Sequence, residues 1–573
     1  MTIGADFILN ALIREGLSHL FLVPGGLIDP ILPALARHPD LRPIVAAHEG
    51  GAACMADGYA RATGNFGAVV GIGGPGLCNM ATAVAAAKTD SSPVLVLSGE
   101  VPVELEGLGE FQDASQATLD DSAVMKPLTR LSITVASART LNHWLRHALT
   151  AMWTQPRGPA HLSLTQNAIT GECSADYAPV SDYFKAVTPL SRPAAEAALN
   201  LPGQGGAKLA FLAGAGVEHD NAARALMSVA QRWSIPVATT LRAKGVFPED
   251  HELSLGVFGY AGTRHASAAI FDDPCDVLIV LGSGFNERDS MHWELRGRAS
   301  SRTTIIQVNT DMDELTTHGA PDRVVPGSCG AFLELMQERA DTIASSLTAG
   351  QTERRAWLAK IRKQPRLYDV ENCDKPSSPV HPAAAITALR KVYPRDGVLL
   401  VDSGAHRAFA GHYWTAYEPR TYISATNLGP MGWAIPAAGG VQCARPERRV
   451  AVITGDGCMQ MHGIEVQTAA RYGLPIIFVV LNNRALGNVW LRSHQFGPLP
   501  SELTSIPDHD WAGFARSLGA QGFTVTESSQ LEETYLQALA AKGPALIDVK
   551  TDKNCPTPVY DFRAGVRAWT YHE

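Results

Sequence analysis

Short, uninterrupted apolar runs alternate along this chain with Ala- and Gly-rich stretches of helical spacing, and the alternation recurs in three regions. In the first, apolar runs at 20–23, 68–72 and 94–97 bracket helical patterns at 53–63 and 79–90. Runs at 209–214, 237–240, 277–281 and 304–308 make the second region, and runs at 398–402, 421–424, 450–455, 476–481 and 545–549 the third. A run apolar on every residue, rather than on alternate ones, marks a strand buried on both faces, which in turn implies a parallel sheet covered by helices. The prediction is an α/β protein of three doubly wound parallel-sheet domains, spanning 1–170, 190–345 and 378–573. A polar stretch after Ile169, broken by Pro179 and Pro189, is the first linker. The charged segment 351–379 predicts a connecting helix followed by a loop.

Composition changes this picture little. With 573 residues, 46% hydrophobic content and a formal charge of −8, the chain is large enough for several cores. It has no basic face to bind nucleic acid. The first residues run into an amphipathic helix pattern at 5–13 with neither a basic leader nor a cleavage site, so they do not predict a signal peptide. No stretch reaches the roughly 20 apolar residues that span a bilayer. Nine cysteines without a Cys-x-x-Cys pair predict reduced thiols and a cytoplasmic location.

The candidate chemistry centres on Gly455-Asp456-Gly457 and Asn482-Asn483, separated by positions 458–481. The intervening segment predicts a helix over 461–472 and then the strand at 476–481. A strand–turn–helix–strand unit brings both turns to one edge of the sheet, so Asp456 and Asn483 converge as hard oxygen ligands suited to Mg2+ beside a diphosphate. Gly455 and Gly457 let backbone amides approach that diphosphate at a helix start. The segment at 71–76 (GIGGPG) also satisfies a dinucleotide-binding pattern, with Glu100 as ribose ligand, but that pattern is weak alone.

These motifs resemble the thiamine diphosphate (ThDP)-dependent enzyme superfamily, in its acetohydroxyacid synthase and pyruvate oxidase branch. Positions 47–61 (AHEGGAACMADGYAR) match the family segment carrying the activating glutamate, here Glu49, and 73–79 (GGPGLCN) match the stretch after it. Positions 429–438 (GPMGWAIPAA) match the stretch that holds the cofactor pyrimidine. The resemblance implies Glu49 as the acid–base group at the pyrimidine N1′, with Gln112 as a second catalytic residue facing substrate. It implies cofactor contacts from Pro75, Asn79, Gly404, His406, Gly429, Met431, Gly455, Asp456, Gly457, Cys458, Asn483, Ala485, Leu486 and Gly487. Metal ligands are then Asp456, Asn483 and Ala485. Ala405 stands where those enzymes carry a glutamine.

Substrate contacts are expected from Gly26, Phe111, Gln112, Asn488, Val489 and Arg492. Asn488 replaces a family methionine and Arg492 a specificity tryptophan, a change that suits a polar or anionic acceptor. In the second region Gly214, Gly216, Thr240, Leu241, Gly259 and Asn309 resemble positions that bind FAD. Positions 282–288 (GSGFNER) have lost the first arginine of the family pattern, so an adenosine nucleotide or a purely structural domain stays open beside FAD. The implied function is decarboxylation of a small 2-oxo acid such as pyruvate, with transfer of the acyl unit to a carbonyl acceptor. A flavin-coupled 2-oxo acid oxidase and a non-decarboxylating diketone lyase or hydrolase are the alternatives. The family also implies at least a homodimer, with a homotetramer as the expected state. The tail 555–573 would serve as a lid or a subunit contact.

Overall fold

The computed structural model describes residues 2–173, 176–185, 189–200, 208–295, 303–317, 321–339, 347–493, 497–498 and 500–558. Most of the tail predicted to be a lid or contact, from 559 onward, lies outside them.

Three six-stranded sheets follow one another along the chain, and every pairing within them is parallel. The first holds β1 (His19–Leu22), β2 (Arg42–Val45), β3 (Gly67–Ile72), β4 (Val94–Glu100), β5 (Leu131–Val135) and β6 (Ala160–Thr165), in the order β2-β1-β3-β4-β6-β5. The second holds β7 (Leu209–Ala213), β8 (Val237–Thr239), β9 (Ser254–Val257), β10 (Val277–Leu281), β11 (Thr304–Asn309) and β12 (Arg323–Pro326), ordered β9-β8-β7-β10-β11-β12. The third holds β13 (Val398–Val401), β14 (Tyr422–Ile423), β15 (Val450–Gly455), β16 (Ile476–Asn482), β17 (Gln521–Val525) and β18 (Ala545–Lys550), ordered β14-β13-β15-β16-β18-β17. The outer two sheets therefore share one strand order, and the middle one has another.

Two helices tie the first and third sheets into one hydrophobic core. They are α1 (Glu49–Thr63) and, later in the chain, the helix Ala434–Ala444. Their glycines make the approach possible. A Cβ on Gly58 would strike the Ala437 carbonyl, and one on Gly440 the Met55 carbonyl. Trp433 Nε1 donates to Asp57 Oδ2 at 2.9 Å across the same contact, and the Arg61 guanidinium lies over the Trp433 ring. The middle sheet has its own core. A third cluster joins its Leu241, Val257, Tyr260 and Ala261 to the third sheet.

The helix expected over 461–472 is broken. The structure has α2 (Pro75–Thr89), α3 (Ala405–Tyr413) and α4 (Ala434–Ala444), then α5 (Asp456–His462), a tight turn at Gly463–Glu465 and α6 (Val466–Arg471). The turn has a purpose in packing: it swings Glu465, 2% exposed, under the start of α1, where its carboxylate accepts from the Ala47 and His48 amides at 3.2 and 3.1 Å.

Candidate active site

In an open parallel sheet, ligands sit beyond the carboxyl ends of the strands where the strand order reverses. In the third sheet that point lies between β13 and β15, and a cavity of about 640 Å3 opens there. Asp456 begins α5 directly after β15 and is 2% exposed. Its Oδ1 accepts from the Gly457 amide at 2.9 Å, and its Oδ2 from the Ala485 amide at 3.2 Å. Asn483 Oδ1 accepts from that same Ala485 amide at 3.1 Å, so the two side-chain oxygens meet at one backbone nitrogen. Arg484, between them in the turn, takes a left-handed φ of 57°. Burial pushes Asp456 up to about 6.

The glycines around this pair are closely packed by side chains. A Cβ on Gly457 would lie 2.9 Å from both Met431 and Leu486, and one on Gly487 would lie 2.7 Å from Asn483 Nδ2. A Cβ on Gly404 would enter the His406 ring, and one on Gly455 would lie 3.0 Å from His406 Nδ1. His406 is 8% exposed, and burial drives its imidazole down to about 3, so it is neutral at physiological pH. Its buried Nε2 has no partner. Gly429 has a φ of 64°, a conformation that favours glycine.

The donor chemistry fits a diphosphate with a hard divalent cation. A buried carboxylate and an amide oxygen converge, backbone amides open a helix beside them, and a neutral imidazole nitrogen is left to bond. Among the described residues no three His, Cys, Asp or Glu side chains gather as a metal cluster, so any cation here takes a mixed donor set.

All twelve expected cofactor contacts from the third sheet line this one cavity: Gly404, His406, Gly429, Met431, Gly455, Asp456, Gly457, Cys458, Asn483, Ala485, Leu486 and Gly487. Asn488, Val489 and Arg492 also line it. The Cys458 thiol donates to the Ser403 carbonyl, and burial pushes its pKa up, which makes it a packing group. The expected contacts from the first sheet lie elsewhere. Glu49, half-buried at the start of α1, accepts from Asn79 Nδ2 at 2.9 Å through Oε2. Pro75 opens α2 beside it. Phe111 is 80% exposed, Gln112 sits at a left-handed φ of 61°, and Gly26 is exposed. None of Glu49, Pro75, Asn79, Gly26, Phe111 and Gln112 reaches the cavity of its own chain.

Of the six positions expected to meet FAD, only Leu241 lines the cavity. Gly214 and Gly216 are occupied by packing, because a Cβ on either would collide with the Gly282 backbone. Gly259 presses on the Arg288 carbonyl in the same way. Thr240 is wholly buried, and Asn309 Nδ2 donates to Glu314 Oε2 at 2.6 Å. The loops after β7 and β10 meet through the Gly216 amide and the Gly282 carbonyl at 2.9 Å. The sequence reading missed the wall that the middle sheet gives to the cavity, built from Arg242, Tyr260, Asn286, Glu287, Arg288 and Asp289. Arg242 and Tyr260 lie in segments, 240–251 and 259–263, that resemble the middle domain of the family, and Asn286 to Arg288 in the segment read for flavin.

Comparison with known proteins agrees with this geometry. Three family models match in succession: the thiamine pyrophosphate enzyme N-terminal TPP binding domain over 2–124, the central domain over 204–336 and the C-terminal TPP binding domain over 402–549. A probable acetolactate synthase large subunit of Methanocaldococcus jannaschii is 30% identical, with 96% of this chain and 92% of that protein aligned. An acetolactate synthase large subunit of Parasynechococcus marenigrum is 31% identical over 96% of this chain and 88% of its own length. The acetolactate synthase isozyme 3 large subunit of Escherichia coli is 29% identical over 94% and 92%.

Proposed function

Because the chain belongs to the thiamine pyrophosphate-dependent enzyme family, we propose that it decarboxylates a small 2-oxo acid, pyruvate first, and ligates the remaining acyl unit to a carbonyl acceptor. The observation that carries this reading is the single cavity at the β13–β15 switch point, where Asp456 and Asn483 oxygens meet beside a glycine cradle.

Bound there, ThDP supplies a nucleophilic ring carbon that can take up the acyl group of the 2-oxo acid. The protein does the rest. Asp456 Oδ, Asn483 Oδ1 and the Ala485 carbonyl would hold Mg2+, and the glycine-lined floor at Gly404, Gly455 and Gly457 with His406 Nε2 would receive the diphosphate. Gly429 and Met431 would fix the bend between the two rings. Glu49 holds and returns a proton at the pyrimidine N1′. Asn79 already engages Oε2, leaving Oε1 for that ring nitrogen. Gln112 would donate to the substrate oxygen without adding charge. The wall of Asn488, Val489 and Arg492 would sort acceptors, with a preference for polar ones.

Glu49 does not line the cavity that Asp456 lines, and the family resemblance supplies the glutamate from a second copy, so we propose a homodimer as the working unit, with the tetramer built from it. Exposed Leu108 and Phe111 near the first half-site, and Leu428, Met461 and Ile464 near the second, are apolar surface for that contact. Among the described residues no helix is long and apolar enough to cross a membrane. Nine unpaired cysteines support a cytoplasmic setting. The experiment is product analysis by NMR with ThDP, Mg2+, labelled pyruvate and a panel of aldehydes and 2-oxo acids. Carbon dioxide release coupled to a new carbon–carbon bond is expected. Release without incorporation into any acceptor, or electron transfer to a dye instead, would refute the ligase reading.

A further inference from the structure

Glu465 is a buried carboxylate for which the mechanism above has no use. We propose that it is a positioning residue for Glu49, an assignment that rests on Glu49 being the proton group at the pyrimidine N1′. Glu465 lies in the turn between α5 and α6, packed against the first turn of α1. Its Oε2 accepts from the Ala47 amide at 3.2 Å and its Oε1 from the His48 amide at 3.1 Å. These are the two backbone groups directly before Glu49. A Cβ on Gly51 would collide with Oε1, so the glycine two residues after Glu49 leaves the space that the carboxylate fills. The third donor is Thr468, whose Oγ1 donates to Oε2 at 2.5 Å.

Packing alone does not account for this group. Burying a carboxylate is unfavourable, and an apolar residue of similar size often serves a core as well or better. A carboxylate adds direction instead. All three partners are donors, so both oxygens are committed and the backbone that leads into Glu49 is held in one place. Burial pushes the Glu465 pKa up, while the bonds from Thr468, Ala47 and His48 pull it down. Glu49 itself sits in a narrow niche. Asn79 engages its Oε2 at 2.9 Å, a Cβ on Gly76 would lie 3.5 Å from its Oε1, and one on Gly71 would lie 3.8 Å from its Cγ. His48, just before it, has extended backbone and accepts from the Gly50 amide through Nδ1 at 3.0 Å. A catalytic group displaced by about 1 Å can lose about 10²-fold in rate, so the hold on this turn matters to chemistry. Glu465→Gln breaks that hold with little change of shape. An amide offers one acceptor oxygen where two are used, and its own donors would face groups that also donate.

The test is NMR of proton exchange at the thiazolium carbon in protein saturated with ThDP and Mg2+, with ThDP affinity measured by calorimetry. Wild type, Glu49→Gln, Glu465→Gln and the double variant are compared. Glu465→Gln should slow exchange by about tenfold or more, the scale of a misplaced catalytic group, with ThDP affinity retained because Asp456 and Asn483 are untouched. In the Glu49→Gln background it should slow exchange no further, the non-additivity of a residue that acts through another. Thr468→Val removes one donor from Oε2 and should slow exchange in the same direction by less. Wild-type exchange in Glu465→Gln, or in Thr468→Val should Glu465→Gln not fold, would overturn the proposal. Equal further slowing in the Glu49→Gln background would overturn it too, as would loss of ThDP affinity in step with exchange. Wild-type exchange in Glu49→Gln would instead remove Glu49 from its role, and Glu465 with it, whereas slow exchange there beside wild-type exchange in Glu465→Gln would remove Glu465 alone.

Discussion

Glu49 and Asn79 meet through one hydrogen bond of 2.9 Å, and this small contact sets how the proposed proton relay behaves. Glu49→Gln keeps the shape and loses the exchangeable proton. Turnover should fall by about 10²-fold or more, the scale of a lost general acid–base group, while ThDP still binds. NMR of proton exchange at the thiazolium carbon checks it, and wild-type exchange in the variant would remove Glu49 from the role. Asp456→Ala should cost more than activity, since it strips the charged ligand from a small cation with strict octahedral demands. Calorimetry should then show ThDP affinity that no longer responds to Mg2+. Arg492 lines the cavity, with its Nε donating to the Asn488 carbonyl at 3.2 Å. Arg492→Trp should favour apolar acceptors by about 10–200-fold, the range that a change of apolar contact delivers. Competition between paired acceptors measures it, and an unchanged ratio with activity retained would place the side chain outside the acceptor pocket.

At the level of elements, the strands legible in the sequence were those apolar on nearly every residue. The interior strands β3, β4, β7, β10, β15 and β16 all stood out as apolar runs. Five strands were missed in the first and second sheets. β2 begins with Arg42-Pro43, β5 is half-buried along most of its length, and β12 begins with the exposed Arg323. β6 and β9, though buried throughout, are interrupted by His161, Ser163 and Thr165 and by Ser254 and Gly256. β17, missed in the third sheet, is likewise largely exposed or half-buried. The break between α5 and α6 was invisible for another reason. Its cause is a tertiary contact, Glu465 under the start of α1, which no local pattern records. Packing of α1 on α4 yields a prediction of its own. Gly440→Ala would push a methyl into the Met55 carbonyl, and overpacking of this kind costs about 1–3 kcal/mol. A lower thermal midpoint is expected, with the cofactor residues chemically unchanged. An unaltered midpoint would mean that the two helices separate easily.

For the whole molecule, the sequence placed the third-sheet half of the site well because its residues are close in sequence and turn at one sheet edge. Asp456, Asn483 and the glycines between them needed only the strand–helix–strand rule. The middle-sheet wall around Arg288 was missed because it depends on how two domains face each other. Of the positions expected to meet FAD, only Leu241 lines the cavity, and Gly214 and Gly216 pack closely on the Gly282 backbone. The family resemblance pairs Glu49 of one chain with Asp456 of another, and Glu49 does not line the cavity of its own chain that Asp456 lines. The central claim is therefore that one catalytic site draws Glu49 from one copy and Asp456 from another, and subunit mixing tests it most directly. Glu49→Gln and Asp456→Ala proteins, each nearly inactive alone, would be unfolded, mixed in equal amounts and refolded together. Random pairing then restores one intact site in each mixed dimer, so activity should return to about a quarter of the wild type. If the mixture stays as inactive as its components while mixed dimers are present, the site is built within a single chain and the account is wrong.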